Sequence, residues 1–155
     1  MERGMVGRSQ PERQPALNRS HGSSTLPAPA NDGVALVQKA LRHKKVDARI
    51  IKDGRIVVHK EGRRLLVEVK RSGVVFSGEE DFPDESIIFE AQHIHDKANP
   101  KPWIYIVLSQ HRNSMAVVGS NTEKFWIKDR MYYRCPKEYI KFKPVEVPDG
   151  ECYTI

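Results

Sequence analysis

Glu68-Val69-Lys70 sets a carboxylate and an ammonium two residues apart within an apolar run from Arg64 to Arg71. Side chains two apart on a strand point to one face. Leu66, Glu68 and Lys70 therefore share one face, and Leu65, Val67 and Val69 share the other. Just upstream, Glu61-Gly62 has the form of a two-residue hairpin loop. Folding the chain about it pairs Lys60 with Arg63, Val58 with Leu65 and Ile56 with Val67. On the opposite face it sets Val57 against Leu66, Arg55 against Glu68 and Asp53 against Lys70. Asp53, Glu68 and Lys70 then gather at the open end of one hairpin. Two carboxylates and the Val69 carbonyl make a hard-oxygen site suited to Mg2+ or Mn2+. Such an ion polarises a phosphate and acidifies a water, while Lys70 can orient that water or steady developing negative charge. A plainer reading stands beside this one. Glu68 and Lys70 can form a solvated charge pair on a half-exposed strand, with Arg55 neutralising Glu68 across the hairpin. Asp53 before Gly54 is also what a tight turn uses.

The hairpin needs neighbours to hold it. Residues 1–31 are rich in Arg, Ser, Pro, Gln and Gly and nearly lack periodic apolar residues, so a disordered tail is expected there. Asn31-Asp32-Gly33 opens a helix near residues 33–45, with Val34, Val37, Ala40 and Leu41 on one face. Lys39, Arg42, Lys44 and Lys45 load its other face and its C-terminal end, where cations suit the helix dipole. Short apolar runs at Ala48–Ile51, Arg55–Lys60 and Arg63–Arg71 predict an antiparallel meander. Ser77–Glu85 is acidic, carries Pro83 and reads as a solvated loop. A second helix is expected over Ser86–Ala98, buried through Ile87, Ile88, Ala91, Ile94 and His95. Trp103–Leu108 reads as a strand buried on both faces. A hairpin around Met115–Gly119 and β patterns at Phe125–Tyr133 and Tyr139–Val145 follow. The predicted fold is α/β (α+β), a mixed β-sheet flanked by helices, in a domain over 32–145, with 146–155 as a C-terminal tail.

An Asp, a hairpin of about fifteen residues, and then Glu-x-Lys on the next strand resembles the PD-(D/E)xK nuclease superfamily of restriction-endonuclease-like and Holliday-junction-resolvase-like enzymes. The element order over residues 33–110 is similar to that superfamily's α-β-β-β-α-β core, here with additional C-terminal β structure. The resemblance implies a metal-dependent endonuclease that hydrolyses DNA phosphodiesters with Mg2+ or Mn2+. It makes Asp53 and Glu68 metal ligands, with Val69 lending its carbonyl, Lys70 the catalytic lysine and Gln92 an accessory on the following helix. It also implies a homodimer, since one active site of this kind cuts one strand. The chain departs from the pattern in three places. No Pro precedes Asp53, Gly54 and Arg55 separate Asp53 from its strand, and the first helix carries no carboxylate within its body. These departures fit a divergent enzyme or a catalytically inactive nuclease-fold module that binds nucleic acid or assembles with protein.

Composition bounds the partners. The chain has 155 residues, a formal net charge of +6 and 39% hydrophobic residues, which favours a polyanionic partner such as DNA. Arg42, Lys44, Lys45, Arg63, Arg64 and Arg71 are the expected contacts to the phosphate backbone. Phosphate contacts of this kind position a nucleic acid without reading its sequence. No apolar run approaches the roughly 18 residues that span a bilayer. Without a secretory signal pattern, an intracellular setting is expected, cytoplasmic or in the nucleoid or nucleus, not secreted. Cys135 and Cys152 form no zinc-binding pair. His93 and His95 diverge on a helix, so His95 is expected near the core and His93 in solvent.

Overall fold

The computed structural model describes residues 28–29, 31–51 and 54–146. The tails expected at the two ends therefore lie almost wholly outside the described residues. Helix α1 (Asn31–His43) buries Val34, Leu36, Val37 and Ala40 and ends on Arg42 and His43. The chain turns back at Lys45, whose φ of 68° is the left-handed conformation that closes many helices.

Strands β2 (Asp47–Ile50), β3 (Arg55–Lys60) and β4 (Arg63–Arg71) form the expected meander. The β3–β4 register is the one that the hairpin arithmetic gives, from Lys60 opposite Arg63 to Arg55 opposite Glu68. Glu61 and Gly62 take φ values of 54° and 74°, the paired left-handed geometry that lets a two-residue turn match the strand twist. Across from Lys70 the structure places Pro29 of a short strand β1 (Ala28–Pro29), while Asp53 lies outside the described residues.

β4 also pairs in parallel with β6 (Ile104–Leu108), and the sheet continues antiparallel through β7 (Ser114–Gly119) to β10 (Lys141–Pro144). The strand order is β10-β7-β6-β4-β3-β2, with β1 attached to β4. A smaller sheet, ordered β5-β9-β8, comprises β5 (Ser86–Ala91), β8 (Ile127–Asp129) and β9 (Tyr132–Pro136). The architecture is thus mixed α and β with a mixed main sheet. One face of that sheet packs on α1 through Ile56, Val58, Val67, Val69, Ile106 and Leu108. The other packs through Tyr105, Val107, Ala116 and Val118 on Phe89, Tyr133 and Cys135 of the small sheet.

Two expectations are corrected. Ser86–Ala98 is not one helix. It is β5 followed by a six-residue helix α2 (Gln92–Lys97). Ile87, Ile88, Phe89 and Glu90 are all buried in succession, which suits a strand covered on both faces and not a helix with one apolar stripe. Ile94, expected in the buried stripe, is 45% exposed. Nor is Ser77–Glu85 simply a solvated loop. Phe82 is buried against Phe76 and Phe142, and the Asp81 carboxylate accepts the Ser77 and Gly78 amides at 2.9 and 3.0 Å. Those hydrogen bonds, led by the Ser77 hydroxyl, hold the Asp81 pKa down to about 2.

Candidate functional site

Alternation along β4 sends Glu68 and Lys70 to the sheet face that meets the small sheet, away from α1. Glu68 is 6% exposed. Its Oε2 accepts from Arg55 Nε at 2.6 Å, the cross-strand pair set by the hairpin register. Its Oε1 lies 3.8 Å from Lys70 Nζ. Lys70 reaches a second carboxylate more closely, Glu90 Oε2 at 3.2 Å. Glu90 Oε1 in turn accepts from the Ala91 amide at 2.9 Å. The ammonium therefore bridges two buried carboxylates. Buried charges persist only when partnered in this way, since each loses its hydration on folding.

Glu90 is the residue that sequence reasoning missed. β5 pairs regularly with β9 through Ile88 opposite Arg134, then skips Phe89 and resumes at Glu90 opposite Tyr133. Such a bulge breaks the two-residue alternation and re-aims a side chain. Here it lets three consecutive apolar residues pack while Glu90 faces Lys70. The signal was present as a carboxylate inside an apolar run, the same signal that marks Glu68. The helix expected over this run has a buried stripe that does not include Glu90.

Glu68 and Glu90 line a cleft of about 450 Å³, and Lys70, 12% exposed, lies behind them as their shared partner. Arg55, Arg64, Leu66 and Glu68 line it from the hairpin, and His93, Ile94, Lys97 and the 98–102 segment line it from α2 and beyond. Tyr105, opposite Glu68 in the β4–β6 register, completes the floor. Its hydroxyl meets His95 Nδ1 at 2.7 Å. Burial, reinforced by Glu90 and Glu68, pushes the Tyr105 hydroxyl far above its usual pKa, so it stays a protonated donor and not a nucleophile. Burial lowers the pKa of His95, whose Nε2 faces Glu123 Oε2 at 3.7 Å. A neutral ring accepting Tyr105 at Nδ1 carries its proton on Nε2, towards that carboxylate.

The remaining expected residues are placed as follows. Val69 turns its side chain into the α1 core, so only its backbone could serve an ion. Gln92 has other partners. Its amide nitrogen donates to the Arg130 and Tyr132 carbonyls at 3.0 and 2.9 Å, tying the start of α2 to the β8–β9 turn. Arg64 lines the cleft. Arg63 and Arg71 fall on the α1 side by alternation. Arg42 donates to the Ala48 carbonyl at 3.1 Å, beside Gln38 at 3.0 Å, and together they cover the edge of β2. Lys44 pairs with Glu146 at 2.8 Å, and Lys45 makes the reversal after α1, so the basic end of α1 does not line the cleft. His95 is buried and His93 exposed, as expected.

Among the described residues, no three of His, Cys, Asp and Glu gather as an ion site, and Asp53 lies outside them. Two convergent carboxylates still fit Mg2+, which keeps several waters and takes one or two protein carboxylates plus a substrate phosphate. No helix among the described residues is long and apolar enough to cross a membrane. The chain matches no protein-family model, no curated protein and no solved structure.

Proposed function

We propose that this chain is a divalent-metal-dependent nuclease of the PD-(D/E)xK type that hydrolyses DNA phosphodiesters. The observation that supports this reading is that Glu68 and Glu90, which share Lys70 as a partner, both line one open cleft. The order of α1, the β2–β4 meander, the β5–α2 crossover and parallel β6 supports the α-β-β-β-α-β core. In this reading Glu68 and Glu90 hold Mg2+ or Mn2+, with Asp53 as a further ligand. When bound, the ion polarises a phosphate oxygen and acidifies a water. Lys70 leaves its bridging position to hold the attacking water or the charge growing on the phosphoryl oxygens. The water oxygen bonds to phosphorus, the bond to one sugar oxygen breaks, and that oxygen takes up a proton, so one water is consumed per cut. Arg55, released from Glu68, then faces the phosphate.

The 2.6 Å Arg55–Glu68 pair also favours a second reading, in which the carboxylate is permanently neutralised and the cleft binds nucleic acid without cutting it. One assay separates the two. The full chain is incubated with plasmid and with labelled oligonucleotides in Mg2+, in Mn2+ and in EDTA, beside Lys70→Ala and Glu90→Ala. Metal-dependent cutting that both variants lose is expected. Absence of cutting together with salt-sensitive binding would instead establish the second reading.

A further inference from the structure

The cleft is larger and more apolar than a phosphate requires. Its volume of about 450 Å³ is in the range that encloses a small organic molecule. A phosphodiester is satisfied by cations and hydrogen-bond donors, which Arg64 and Lys97 can provide at the mouth. Neither the aliphatic nor the proline surface of the lining serves that purpose. Ile51 and Ile94 stand 47% and 45% exposed, and both converge on this one cleft with Leu66, Pro100 and Pro102. Scattered exposed isoleucines need no explanation, but a cluster beside a charged floor marks a binding surface. An unpaired base has an apolar face of matching character, and burying it there leaves its own phosphate in the part of the cleft lined by Arg64, Glu68 and Glu90. A continuous duplex keeps its base faces stacked and presents only edges and backbone, so it cannot fill these walls.

We infer that the cleft takes one unpaired nucleotide, and that the substrate class is therefore single-stranded DNA or the frayed end or flap of a duplex. This rests on the nuclease reading for its chemistry but on the apolar walls for its specificity. Binding energy from the base positions the scissile phosphate, and paired DNA is excluded for want of an exposed base face.

The test compares cutting of an end-labelled single strand, a blunt duplex of the same sequence and a duplex with a single-stranded flap, using the full chain with Mg2+ or Mn2+. The single strand and the flap arm are expected to be cut at least about tenfold faster than the duplex, the worth of burying one base face against these aliphatic side chains. Ile94→Asp, at an exposed position, is expected to raise KM for the single strand by about tenfold at unchanged melting temperature, with Ile94→Ala intermediate. Equal or faster cutting of the blunt duplex, or an unchanged KM in Ile94→Asp, overturns the inference and leaves the nuclease reading intact. If nothing is cut, the nuclease reading fails, and fluorescence anisotropy of labelled oligo-dT against the duplex decides the inference alone. Preference for oligo-dT that Ile94→Asp abolishes sustains it, and equal affinity overturns it.

Discussion

The two faces of the main sheet solve different problems. Towards α1 the contacts are aliphatic, with Val37, Ile56, Val58, Val67 and Leu108 all essentially inaccessible to water. Towards the small sheet the contacts are aromatic and polar. His95 packs edge-on against Trp126 and Tyr133, and Phe89 packs on Tyr105 and Trp126. Glu68, Lys70 and Glu90 lie on this second side. The small sheet covers β6 and β7 there, yet leaves Arg55, Arg64 and Leu66 of the β3–β4 hairpin to line a cleft. Buried carboxylates need a partner. On the proposed function, the incomplete cover on that side is what gives substrate or ion access to Glu68 and Glu90. The core of the α1 face, buried under aliphatic side chains, contributes stability.

Lys70→Met gives the largest expected effect. It removes the cation that bridges Glu68 and Glu90, and on the proposed nuclease function cleavage is expected to fall by at least about 100-fold through loss of charge stabilisation on the transition state. The same change strands buried carboxylate charge and should lower stability by about 3 kcal/mol. Urea unfolding beside single-turnover cleavage reads both. A variant that loses activity with no loss of stability would show that Lys70 is not the counter-ion of the resting site.

Ile56→Ala tests the other face. The residue is fully buried in the α1 core, and its truncation should cost about 3 kcal/mol through lost burial and an incompletely collapsed cavity. Cleavage per folded molecule should stay within about twofold of the parent, because no atom of Ile56 reaches the cleft. A large loss of rate in fully folded Ile56→Ala would mean that the faces are coupled, and the division of labour would not hold.

The unequal legibility of the two faces has a physical basis. The α1 face could be read because α1 and the β2–β4 meander repeat their apolar residues at regular periods, and Glu61-Gly62 fixes the register by counting. Half of the charged cluster followed from that register, including the Arg55–Glu68 pair. The other half did not, because Glu90 sits beyond a bulge in a strand whose consecutive Ile-Ile-Phe lacks alternation. Periodicity cannot distinguish such a run from a buried helix. Gln92, expected as an accessory from its position after Glu-x-Lys, donates its amide to the Arg130 and Tyr132 carbonyls, contacts between segments far apart in sequence that no local pattern foretells. The cleft's apolar wall was hidden as well, since Ile94 fitted a buried stripe until α2 proved short.

The smallest expected effect separates the two faces by their response to acid. His95 is 1% exposed, and its pKa is lowered from 6.5 chiefly by burial. Glu123 from the 3-10 helix Ser120–Phe125, Asp96 on α2 and Glu90 on β5 oppose that shift, and Lys101 adds to it. Tyr133 donates to Asp96 at 2.8 Å, and Tyr105 occupies Nδ1, so no new partner awaits a protonated ring on that side. With the folded pKa below the unfolded one, the unfolded chain binds the proton first. The stabilisation is complete above pH 6.5 and is lost as pH falls towards the lowered folded value. Melting temperature should therefore decline more steeply below pH 6.5 in the parent than in His95→Gln, whose neutral amide can accept from Tyr105 without titrating. Ile56→Ala should keep the parental slope, displaced to lower temperature throughout, because the cluster around Ile56 is wholly apolar. Parallel curves for parent and His95→Gln would remove His95 as the source of acid sensitivity.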